Sequence, residues 1–79
     1  MMNHVQLQVL FEEDKAEKNV TAYIPALRLG VKGDTIEEAR ENARDLIEME
    51  FEAARQQGRA IPQDTAIIEN INVSLPVNK

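Results

Sequence analysis

The sequence predicts an α+β domain of order β-β-β-α-β, one mixed four-stranded sheet with one long helix on one face. Three observations carry this reading. The stretch from Gly33 to Gly58 bears helix signals at both ends, the segments before it alternate apolar and polar residues, and so does the tail behind it. Three antiparallel strands followed by a right-handed helical crossover set the last strand parallel to the first, in the order 3-2-1-4. Residues 1–79 are read as a single domain, because a chain this short builds one core.

The first strand is expected over His4 to Glu12, where Val5, Leu7, Val9 and Phe11 point one way and Gln6, Gln8 and Leu10 the other. Glu13 to Asn19 reads as the loop that returns the chain. Val20 to Ile24 follows as a second strand, with Val20, Ala22 and Ile24 on one face. Pro25 ends it, since proline has no N–H to give to a ladder. Leu27, Leu29 and Val31 alternate with Arg28, Gly30 and Lys32 as a short third strand, and Gly33-Asp34 turns into the helix.

The helix is predicted from Ile36 to Gln57. Thr35 and Glu38 form a capping box: the threonine oxygen accepts from a free N–H of the first turn, and the glutamate reaches back to the threonine N–H. Acids Glu37, Glu38 and Glu41 lie near the positive end of the helix dipole and Arg55 and Arg59 near the negative end, where Gly58 can close the helix in the left-handed conformation. Ile36, Ala39, Ala43, Leu46, Ile47 and Ala54 share one face; Glu37, Glu41, Arg44, Glu48, Glu52 and Arg55 share the other.

Glu50 interrupts the apolar stripe. A helix of this length extends about 33 Å, whereas strands of six or seven residues cover about 20 to 24 Å. The last turns should therefore overhang the sheet and leave Glu50 and Gln57 in water, with Met49 and Phe51 on the flanks as a contact surface. Arg59 to Asp64, with Ile61-Pro62, reads as a connector. From Ala66 onward Ile67, Ile71, Val73, Leu75 and Val77 fall on odd positions between Asn70, Asn72 and Ser74, which predicts a fourth strand interrupted around Glu69-Asn70 and ending near Pro76.

The chain has no cysteine, so it has no disulfide, thiol nucleophile or thiolate metal site, as suits a reducing compartment. Its N-terminus lacks a basic region followed by a long apolar core, and no apolar run approaches membrane-spanning length. A cytoplasmic location off the membrane is expected. The net charge is −5, and Ile36 to Gln57 alone carries seven acids against three bases. Such a surface repels phosphate backbones and attracts basic proteins, which argues against direct nucleic-acid binding. A chain this small buries only about 60% of its unfolded surface, so a homodimer or higher homo-oligomer is expected.

Nothing in the residue pattern builds a reaction centre. His4 has no second histidine or cysteine to complete a triad or metal site. The Gly33-Asp34-Thr35 turn has one glycine, no following lysine and acids in the next turn, so it reads as a cap and not as a phosphate loop. Two-metal nucleic-acid hydrolysis needs two or three converging carboxylates, yet the outward central positions of the first strand are Gln6 and Gln8, its acids Glu12 and Glu13 fall at its end, and Glu41 and Glu69 lack a third partner. No catalytic residue, cofactor or metal is expected, and hence no enzyme.

The ordered set Tyr23-Ile-Pro25-Ala-Leu27, Gly33-Asp-Thr-Ile-Glu-Glu-Ala39 with Asn42-Ala43, and Gly58 with Ile61-Pro62 resembles the HicB-like antitoxin family across nearly the whole chain. That family is similar to a partial ribonuclease H fold without its catalytic carboxylates. The resemblance implies an antitoxin that binds and neutralises a small basic mRNA-cleaving toxin of the HicA type. An acidic helix would be steered to such a partner by the field that draws RNA to it. Glu41, Asp45, Glu48, Met49, Phe51 and Glu52 are the candidate contact residues.

Two departures from the family stand out. Many members carry Pro-Gly-Cys after the Pro-x-Leu, whereas this chain has Arg28-Leu-Gly-Val31 and is one residue shorter. Full-length antitoxins continue into an operator-binding domain, which 79 residues do not include, so no DNA-binding domain of its own is expected. The alternative function is a solitary homo-oligomeric structural or regulatory module with no toxin.

Overall fold

The computed structural model describes residues 4–77. Its elements are β1 (Leu10–Asp14), β2 (Asn19–Ile24), β3 (Leu29–Gly33) and α1 (Ile36–Gln57). The strands form an antiparallel meander, β1-β2-β3, whose register aligns Phe11 with Ala22 and Ala22 with Val31. Because side chains alternate across a strand, this register puts Val20, Ala22, Ile24, Phe11 and Val31 on one face. That face meets α1. Tyr23 and Leu10, paired on the opposite face, are both about two-fifths exposed.

The arrangement is therefore β-β-β-α, and the four-stranded sheet of order 3-2-1-4 does not form. Residues 59–77 enter no ladder. Alternation in a tail records that one face needs cover without saying what supplies it, and here the chain itself does not. Asp64 is held at Gln8, whose backbone N–H donates to both carboxylate oxygens at 3.1 and 2.9 Å. Beyond that tie the chain runs clear of the body.

The first strand is also displaced. It is paired over Leu10–Asp14 instead of His4 to Glu12, because β2 spans only Asn19–Ile24 and Pro25 follows it. Residues 4–9 lie outside the ladder, yet Leu7 and Val9 still pack on the core beside Phe11, while Val5 is 51% exposed. The return loop shrinks to residues 15–18, where Asp14 accepts from the Glu17 N–H at 3.0 Å.

The shortened segment after Pro25 resolves into a tight turn. The Ile24 carbonyl accepts from the N–H groups of Leu27 and Arg28 at 3.0 and 2.9 Å, and Arg28 adopts φ 56°. A left-handed conformation strains a residue with a Cβ by roughly 1–2 kcal/mol. An Arg28→Gly variant is expected to gain about 0.5–1 kcal/mol of stability, after glycine's larger unfolded-state entropy is set against the relieved strain. A thermal melt checks this, and an unchanged or lower midpoint refutes it.

The helix begins and ends as its local chemistry dictates. Thr35 Oγ1 accepts from the Glu38 N–H at 3.1 Å, and Glu38 Oε1 accepts from the Asp34 N–H at 2.8 Å. The reciprocal bond thus lands one residue earlier than the Thr35 N–H that the capping box predicts. Gly58 closes the helix at φ 67°, with its N–H directed to the last carbonyls. Along the seam Ala39 and Ala43 are almost fully buried, and small side chains let the helix ride close on β3 and β2; Ala54, further along, is buried outside this core. Asn42 Nδ2 adds a bond to the Lys32 carbonyl at 2.8 Å.

Gln57 is exposed, but Glu50 is half-buried and not in open water. The connector turns back after Gly58 with Ile61 and Pro62 half-buried, and Ile61 lies beside Phe51, Glu52 and Arg55. The core comprises Val20, Ala22, Ile24, Ala39 and Ala43, ringed by Leu7, Val9, Phe11, Leu27, Val31, Leu46 and Ile47.

Candidate functional site

Residues four and three apart on a helix stack into a ridge. Glu41, Asp45, Glu48 and Glu52 accordingly run along the outer side of α1, all exposed. Two arginines temper this acidity. Arg44 pairs with Glu41 at 3.2 Å, and Arg55 pairs with Glu52, whose carboxylate also accepts from Gln56 Nε2 at 3.3 Å. The hydrogen bond from Arg55 holds the Glu52 carboxyl below its ordinary range, and Glu52 in turn raises Arg55. Among the described residues Asp45 and Glu48 enter no ion pair, so they are the uncompensated charges of the ridge.

Met49 and Phe51 are not brought together. Two positions apart on a helix, they diverge by about 160° around its axis. Met49 stands 64% exposed on one flank, whereas Phe51 is half-buried on the other. There it lines a shallow cleft of about 590 Å³ with Val5, Glu48, Glu52, Arg55 and Ile61. Met49 and Phe51 thus flank the ridge on opposite sides, Met49 next to Asp45 and Glu52 and Phe51 next to Glu48, and only Phe51 sits in a cleft.

Phe51 also borders a larger feature. An open groove of about 990 Å³ runs between residues 4–9 and α1, floored by Leu7, Val9, Phe11, Ala43 and Ile47. Arg40 stacks over the Phe11 ring at 5.5 Å, and the rim carries both signs of charge, Arg40 and Arg44 with Glu48 and Asp64. The Asp64 tie lay outside the sequence reading. Its available signal was a lone acid in an otherwise uncharged run, residues 60–68.

The acids weighed for metal chemistry stay apart. Among the described residues no group of three or more His, Asp or Glu side chains is placed to hold a metal ion. His4 is exposed at the mouth of the groove. No described helix is long and apolar enough to cross a membrane.

Comparison with family models, with curated proteins and with solved structures finds no match for this chain. The surface just described therefore carries the functional argument by its own chemistry.

Proposed function

We propose that this protein is a HicB-like antitoxin-type protein that binds and neutralises a small basic mRNA-cleaving toxin of the HicA type. The observation that carries the reading is the exposed acidic ridge of α1, with Asp45 and Glu48 uncompensated and the half-buried Phe51 ring beside it. Carboxylates of this kind speed and orient the approach of a basic protein. Exposed pairs contribute only about 0.2–1 kcal/mol each. An apolar anchor has to supply most of the affinity, and Phe51 in its cleft is placed for it.

The test is co-expression with a small basic, histidine-containing protein encoded by a neighbouring reading frame. Growth is expected to be arrested by that protein alone and restored by this chain. Reversing the two uncompensated ridge charges, Asp45→Lys with Glu48→Lys, should weaken the complex by about tenfold, chiefly through slower association that becomes less sensitive to salt. Rescue that is indifferent to these changes would move the contact off the ridge. Absence of any toxic neighbour would favour the solitary homo-oligomeric module, a reading to which the long exposed apolar tail also lends support.

A further inference from the structure

We infer that residues 66–77 form an exchange arm that seats in the groove between residues 4–9 and α1 of a second copy of this chain, giving a reciprocal dimer. The inference goes beyond the antitoxin reading and does not depend on it.

The arm is built for burial and gets none from its own body. Ile67, Ile71, Val73, Leu75 and Val77 recur at strand spacing and are between 74% and 89% exposed. Exposed apolar residues scattered singly need no explanation, but five on one alternating face do. The molecule measures 62 × 27 × 21 Å with a radius of gyration of 16.5 Å. A packed chain of this length has a radius near 12 Å. The excess lies in the arm.

The groove matches the first half of the arm in length and in its apolar floor. It follows α1 only from Arg40 to Phe51, about 17 Å, so about six extended residues, the first half of the arm, are enough to fill it. Its floor is apolar; its rim carries Glu48 and Asp64 as well as Arg40 and Arg44, and Arg44 is already paired with Glu41, which leaves Arg40 to answer Glu69, the one charged residue of the arm. A foreign partner drawn by charge would find little else on this segment. A second copy brings an arm and a groove together, so each apolar surface is covered once and the assembly closes by two-fold symmetry. The Gln8–Asp64 tie fixes where the arm leaves and keeps its root beside its own groove.

Sedimentation of the full-length chain tests this. A dimer is expected at tens of micromolar, and a monomer there overturns the proposal. Ile71→Asp with Val73→Asp should weaken dimerisation by about 100-fold while leaving the helical circular dichroism unchanged, since these side chains are exposed in the single chain. A dimer that persists in this variant also overturns it. Arm and groove are then separated by mixing. The arm variant, whose groove is intact, is combined with a Val5→Asp/Phe51→Asp variant, whose arm is intact. Each alone should be monomeric, and the mixture, which keeps one of the two arm–groove contacts, should form a one-to-one heterodimer about tenfold weaker than the parent dimer, read at a correspondingly higher concentration. Pairing of arm with arm, or an arm folded back on its own groove, leaves the mixture monomeric and refutes the proposal.

Discussion

An Ile24→Ala variant is expected to lose about 3 kcal/mol of stability, the middle of the range for removing a branched side chain from a core. Ile24 is the largest fully buried side chain, and the fully buried residues around it are small: Ala22, Ala39 and Ala43. Alanines cannot swing into a gap. The void must be filled by Leu27, Leu46 or Ile47 from the partly exposed ring, or left empty. For a domain of this size the whole stability is about 4–12 kcal/mol, so the variant should melt more than about 12 °C lower. Urea unfolding measures it, and a loss below about 1 kcal/mol would show that the ring collapses freely into the space.

Gly33→Ala should be nearly as damaging for the opposite reason. Gly33 closes β3 directly beneath the first turn of α1, and a Cβ there would stand 2.4 Å from the Ala39 nitrogen and 2.9 Å from its Cα. Both are backbone atoms, so no rotamer change relieves the overlap. The helix must lift from the sheet, at about 2–3 kcal/mol for overpacking of this kind. Gly30, in the same strand, is the control: its added Cβ meets the Ala22 carbonyl oxygen at 3.4 Å, and Gly30→Ala should stay within about 0.5 kcal/mol of the parent. Equal effects at the two glycines would refute the close-approach argument.

The contrast between the helix and the first strand shows what a sequence can and cannot disclose. The ends of α1 were legible because its signals are local: Thr35 and Glu38 cap it within four residues and Gly58 closes it against Ala54 and Arg55. The start of β1 was not, because a strand extends only where a neighbour offers hydrogen bonds, and the extent of β2 is a property of another segment. The tail fails for the same reason in a stronger form: its alternation is plain, but among the described residues no segment pairs with it. The acidic ridge was readable from spacing alone, as were the two arginines three positions along that soften it. The groove was hidden, since its walls come from residues 4–9 and α1 and its Gln8–Asp64 tie joins positions 56 apart.

The meander followed by one helix has a kinetic consequence. β1 pairs with β2, β2 with β3, and α1 packs chiefly on β3 and β2, so the body is made largely of contacts between neighbours in the chain. Low sequence separation means small loop-closure penalties and folding on a microsecond-to-millisecond scale. Any step that seats the arm on another molecule is bimolecular and slows with dilution. Refolding should therefore split into a fast phase indifferent to protein concentration, reporting the body, and a slower one that scales with it.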